Sequence, residues 1–213
     1  MKADGTYHYS NGGPVEYDFA CDGKSYPAFA DRTLTCTGDA AAGFDVTSMA
    51  NGTVLSKSHR TISADGKTMT IDGTTMHADG TTAKFDDTYK RISGTTGMAG
   101  TWKDVKDKAS GTGAMVISIS GDTVHLEFPA NKSVFDGKLD GSDSPYTGPT
   151  LPQGALQSYK ADGPTKISYA TKYKDKVLSE GIMTVSADGK TLSDEYWVAG
   201  KKAEKRTLVY DKQ

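Results

Sequence analysis

One stretch of this chain occurs twice. Thr53-Val54-Leu55-Ser56, followed by Thr61-Ile62-Ser63-Ala64-Asp65-Gly66-Lys67-Thr68-Met69, returns as Lys176-Val177-Leu178-Ser179 and Thr184-Val185-Ser186-Ala187-Asp188-Gly189-Lys190-Thr191-Leu192, with no gap between the copies. Self-similarity on this scale predicts two copies of one supersecondary unit. Ser-Ala-Asp-Gly between two alternating runs reads as a tight hairpin turn, with Gly66 and Gly189 taking the left-handed position that closes it. In a chain of 213 residues, such a repeat favours two modest all-β units over one large domain. The division predicted here is 1–96 and 97–213, with Ser93-Gly94-Thr95-Thr96-Gly97 as the linker.

Period-two alternation runs through nearly the whole sequence and helical periodicity is almost absent, which predicts antiparallel meanders. Predicted strands in the first half cover 6–10, 15–21, 33–37, 44–49, 53–63, 68–77 and 83–92. In the second half they cover 100–105, 114–120, 123–128, 132–135, 156–160, 165–173, 177–186, 191–198 and 205–210. Asn51-Gly52, Ala78-Asp79-Gly80 and Ser120-Gly121-Asp122 supply further turns, and Gly111-Thr112-Gly113 also reads as one. The stretch 141–154 holds Pro145, Pro149 and Pro152 and reads as a long irregular loop. The 24 glycines and 36% hydrophobic content suit many short strands with one wet face.

The net charge of −2 gives no electrostatic reason to expect nucleic acid or an anionic membrane as a partner. No run of eighteen apolar residues occurs, so no transmembrane helix is predicted. Met1-Lys2-Ala3-Asp4-Gly5 lacks the apolar core of a signal peptide, and the expectation is an exported protein, periplasmic or secreted, whose leader has been removed. Cys21 and Cys36 fall on two predicted strands. If those strands pair, a cross-strand disulfide follows, implying an oxidising compartment; otherwise the two are small buried thiols. Two isolated cysteines, with no His-x-His or Cys-x-x-Cys nearby, predict no metal site. No phosphate-binding loop, dinucleotide fingerprint or Gly-x-Ser-x-Gly is present, so no cofactor and no serine nucleophile is expected.

Gly100-Thr101-Trp102-Lys103 is similar to the Gly-x-Trp that opens lipocalin-type barrels. Together with Phe135-Asp136-Gly137-Lys138, the Ser-Ala-Asp-Gly-Lys-Thr turn and the closing Val209-Tyr210-Asp211-Lys212-Gln213, it resembles lipocalin-like (calycin-type) domains of small exported bacterial proteins of unknown function. The resemblance covers most of 97–213 and, more loosely, 1–93. It implies antiparallel barrels or half-barrels packed together, with a Trp plugging the closed end against an arginine, for which Arg206 is the candidate. It carries over no catalytic residue. On this reading the first unit lacks the opening Gly-x-Trp strand. A single continuous sheet shared by both units is the competing arrangement.

His125 and Glu127 lie two apart in Thr123-Val124-His125-Leu126-Glu127-Phe128 and share the face opposite Val124, Leu126 and Phe128. They line a cavity or form the wet face of an ordinary strand. His59-Arg60 stands where the second copy has Ile182-Met183, a polar difference between copies that marks either a diverged site or an exposed strand. Tyr159, Tyr169, Tyr173, Tyr196, Trp197 and Tyr210 concentrate in the second unit, and an aromatic interior with polar tips suits a small amphipathic molecule. The reading adopted is a binding protein for a small apolar or amphipathic ligand, lined by Trp102, His125, Glu127, Tyr169, Tyr173 and Trp197. A structural or surface-interaction protein is the alternative, and a hydrolase or isomerase using His125 comes third.

Overall fold

The computed structural model describes residues 5–94, 97–105 and 114–213. It is all-β with antiparallel sheets, one of them curled as a half-barrel. Contacts divide it into two compact units, Met1–Ser10 with Val15–Lys106, and Asn11–Pro14 with Asp107–Gln213.

The first unit holds a hairpin of β1 (Tyr7–Ser10) and β2 (Glu16–Phe19), and a sheet that runs in chain order. That sheet comprises β3 (Ser25–Pro27), β4 (Arg32–Asp39), β5 (Gly43–Ala50), β6 (Thr53–Ile62), β7 (Thr68–Met76), β8 (Thr82–Ser93) and β9 (Thr101–Asp104). Alternation sorts its side chains: Leu34, Cys36, Phe44, Val46, Ile62, Met69 and Ile71 are buried together, with Phe19 of the hairpin among them. The opposite face carries Thr, Lys, Asp and His. Cys21 and Cys36 form a disulfide, with Cα atoms 4.3 Å apart, that ties the chain just after β2 to the apolar face of β4.

The second unit is a nine-stranded meander. Its first strands are β10 (Val116–Ser120), β11 (Thr123–Phe128), β12 (Ser133–Lys138) and β13 (Asp140–Thr147). It continues with β14 (Ala155–Gly163), β15 (Lys166–Tyr173), β16 (Lys176–Val185), β17 (Thr191–Val198) and β18 (Arg206–Asp211). Its core is Val124, Leu126, Phe135, Tyr159 and Met183. Among the described residues no ladder closes either sheet into a barrel.

The two Ser-Ala-Asp-Gly turns are built alike. Gly66 and Gly189 both have φ of +69°, the left-handed region that side chains resist. Ser63 Oγ donates to Asp65 Oδ1 at 2.6 Å, as Ser186 Oγ does to Asp188 Oδ1 at 2.6 Å. The aspartates then accept from the backbone N–H of Lys67 at 3.0 Å and Lys190 at 3.1 Å.

Three expectations are corrected. First, Gly100-Thr101-Trp102 does not open the second unit. Trp102 lies on β9, opposite Arg91 of β8, so this strand ends the first sheet and the unit boundary falls after Lys106 rather than at 96/97. Ser93 therefore ends β8, and Gly94 and Gly97 belong to the connection between two paired strands; Thr95 and Thr96 of that linker, and the Gly111-Thr112-Gly113 turn, lie outside the described residues. Second, Arg91, not Arg206, partners the Trp. Its guanidinium stacks 4.0 Å from the Trp102 ring and donates to the carbonyls of Gly66, Gly97 and Ala99. Arg206 pairs opposite Tyr196 in the second sheet. Third, the first half of the proline-rich stretch 141–154 is not loop but lies in β13 (Asp140–Thr147). Pro145 is tolerated because it pairs only with Leu156 of β14, while the ladder to β12 is confined to Tyr146 and Thr147.

Candidate functional site

The apolar face of the second sheet carries a cluster of tyrosines around one carboxylate. Tyr159 of β14 and Tyr169 of β15 are directly opposed, their rings 5.6 Å apart, and Phe135 meets Tyr159 edge-on at 4.8 Å. Tyr169 in turn faces Gly181 of β16. A Cβ on Gly181 would sit 2.3 Å from the Tyr169 ring, closer than atoms can approach. Glycine here clears a path, and the Tyr169 side chain crosses β16 to reach β17. There its hydroxyl donates to Asp194 Oδ1 at 2.9 Å.

Asp194 is 6% exposed. Burial pushes its carboxyl up from the ordinary 3.8 to about 6, against the opposing pull of the Tyr169 hydrogen bond. The tyrosines respond in the same direction. Burial, and then the negative charge of Asp194, raise Tyr169 and take Tyr210 to about 12. They therefore remain neutral phenols that donate hydrogen bonds. Tyr159 is raised chiefly by burial. Gln157 lies beside its hydroxyl and its hydrogen bond pulls the phenol back down; the Tyr159 hydroxyl and the Gln157 Oε1 are both sealed from solvent and find no other partner among the described residues. A buried polar atom left with no partner at all costs about 1–3 kcal/mol.

Only part of the expected lining is brought together here. Tyr169 is in the cluster. Tyr173 shares its face but sits at the strand end, opposite Ala155 and Lys176, with Lys174 over its ring. Trp197 is corrected: it neighbours Tyr196 in sequence and so points to the opposite face, where its Nε1 donates to Glu180 Oε2 at 3.1 Å. Trp102 is corrected too, lying in the first unit against Arg91 with its Nε1 donating to the Met98 carbonyl. His125 and Glu127 do share one face, but alternation makes it the wet one. His125 Nδ1 sits 2.8 Å from Asp136 Oδ1 directly across the ladder.

That histidine–aspartate pair recurs at His8–Asp18 and His59–Asp45, each at 2.9 Å and each between opposed strand positions. Three copies of one surface arrangement read as cross-strand pairing rather than a catalytic dyad. The pair around His59 borders an open groove of about 440 Å³ with Asp72, Lys57 and Lys84 on its rim. No group of three or more His, Cys, Asp or Glu side chains that could hold a metal ion occurs among the described residues.

Asp194 and Gln157 were missed by sequence reading. The available signal was register: Asp194 alternates with Leu192 and Tyr196, so a carboxylate occupies a core position where the matching stretch of the first sheet has Ile71. Comparison with protein-family models, with curated proteins and with solved structures finds no match.

Proposed function

We propose that this is an exported binding protein that holds a small amphipathic molecule against the tyrosine-rich face of the second sheet. The observation that carries the reading is the trio of Tyr159, Gln157 and Asp194. Two sealed polar groups with at most each other for a partner, and a buried carboxylate, are costly in a face that otherwise packs Phe, Leu and Met. A ligand hydroxyl or amide reaching them recovers that cost, and the surrounding rings receive its apolar body. Export is supported by the disulfide. No helix among the described residues is long and apolar enough to cross a membrane.

The test is native mass spectrometry of gently purified protein, before and after denaturing extraction. A retained small molecule, lost in a Tyr159→Phe/Gln157→Leu variant, supports the reading. A bare chain in both forms, with the double variant more stable, overturns it. That result favours the alternative, a structural or surface-interaction protein, whose own support is tight packing: Phe135, Leu126 and Tyr159 are at most 1% exposed.

A further inference from the structure

The first sheet carries another group with an unpaired polar atom, this one on a cation. Arg60 of β6 stands on the apolar face, between Phe44 of β5 and Ile71 of β7 in the cross-strand row. Its Nε is sealed from solvent and has no hydrogen-bond partner among the described residues, while the residue as a whole is only half-buried. Its guanidinium carbon lies 5.8 Å from the centre of the Phe44 ring. Tyr17, Tyr9 and Tyr89 are the groups that act on it electrostatically, and Tyr9 and Tyr17 stack at 4.7 Å. Arg32 acts on Tyr17 as well.

A guanidinium is planar, cannot shed its proton and offers forked donors that match an oxyanion. An arginine desolvated without a counter-charge costs stability unless something pairs with it. The acids on this face are Asp87, beyond Ile71 in the same row, and Asp104, opposite Tyr89. Both have partners of their own, and neither is among the groups that act on Arg60. The matching position of the second copy is Met183, so packing alone does not call for a charge here.

We propose that Arg60, with Arg32 and the phenols of Tyr9 and Tyr17, forms a binding site for a small organic carboxylate whose apolar body lies against Phe44 and the tyrosine rings. The site is independent of the cluster on the second sheet. Burial holds Tyr9 above its ordinary value and Tyr17 at about 12, so both phenols stay neutral and add donors rather than charge.

The experiment is a calorimetric titration of the full chain with benzoate at fixed chloride, beside benzyl alcohol and inorganic phosphate. Saturable benzoate binding is expected, with the alcohol and phosphate each weaker by about tenfold or more, the loss expected when a charge-assisted pair or an apolar contact is missing. Arg60→Met, which installs the residue of the other copy, should weaken benzoate by about tenfold or more while raising the melting midpoint, because an unpaired cation is removed. Arg60→Lys should retain weaker binding and thereby separates loss of charge from loss of fold. No saturable benzoate binding by the wild type, equal binding of phosphate, or unchanged benzoate binding in a folded Arg60→Met each overturns the proposal. A lower melting midpoint in Arg60→Met makes Arg60 a structural residue and overturns it too.

Discussion

The two sheets solve the same local problem with opposite charges. In the first, the cross-strand pair is Arg60 and Ile71; at the matching positions of the second it is Met183 and Asp194. Each pair sets one ionisable group against one apolar side chain on the face that packs the core. The surroundings differ in a way that follows the sign. Asp194 receives a donor, Tyr169, through the gap left by Gly181, and a carboxylate has the option of taking up a proton. Among the described residues Arg60 has no hydrogen-bonding acceptor at its Nε, and it has no proton it can lose at any ordinary pH. An acid buried in this register can relax within the chain by taking up a proton; an arginine cannot, which is the ground for the carboxylate proposed at Arg60.

The largest effect should come from the first sheet's cross-link, which the second sheet lacks. The Cys21–Cys36 disulfide closes a loop with a sequence separation of 15, a size worth about 3 kcal/mol. Replacing both cysteines by alanine should remove amide protection from β1 to β4 in hydrogen exchange and leave β14 to β17 protected. Equal loss in both units would show that their stabilities are not separable, and the comparison between them would fail.

Asp194 gives the second prediction. Its folded value of about 6 lies above the ordinary 3.8, so the folded state holds this proton more tightly than the unfolded chain. The group costs nothing below pH 4 and its penalty grows as pH rises from 4 to 6. It levels off at roughly 3 kcal/mol, at about 1.4 kcal/mol per pH unit between the two values. Asp194→Asn should abolish that component, leaving the variant more stable than wild type at pH 7 and nearly equal to it at pH 4. Denaturant midpoints measured across this range check the sign. A variant that is less stable at pH 7 would mean that the carboxylate is held charged by a favourable partner.

Gly181→Ala is smaller but more local. The added methyl must displace the Tyr169 ring, and overpacking of this kind costs about 1–3 kcal/mol. With the Tyr169–Asp194 hydrogen bond broken, the pH dependence just described should steepen. If Gly181→Ala shifts stability without touching the pH profile, the ring has moved aside with its hydrogen bond intact, and the glycine serves packing alone.

Local features were legible in the sequence and non-local ones were not. The all-β class, most strand positions and the Ser-Ala-Asp-Gly turns follow from alternation and from residues that accept positive φ, information carried within a few neighbours. The disulfide was one of two open readings of Cys21 and Cys36. The strand at 140–147 was hidden because its tolerance of Pro145 depends on where the β12 ladder stops. Trp102 was assigned to the wrong sheet because nothing local tells a strand which neighbour it will pair with. Arg91, rather than Arg206, reaches Trp102 for the same reason. The tyrosine concentration was visible, but the path over Gly181 to Asp194 depends on three strands being adjacent in a fixed register.

The smallest expected effect belongs to the wet faces, and there the two units should behave identically. His125 faces Asp136, with 38% and 73% of the side chains exposed, and His59 faces Asp45 at similar exposure. Exposed cross-strand pairs of this type contribute less than about 1 kcal/mol and weaken with salt. His125→Ala and His59→Ala should each change the unfolding free energy by under about 1 kcal/mol, and a double-mutant cycle with Asp136→Asn or Asp45→Asn should give a coupling that fades at high salt. Neither should alter benzoate titration or the mass of any retained molecule. If His125→Ala does release a bound molecule while His59→Ala does not, the pairs are not equivalent. The face of β11 would then join the binding surface by a route that its alternation conceals.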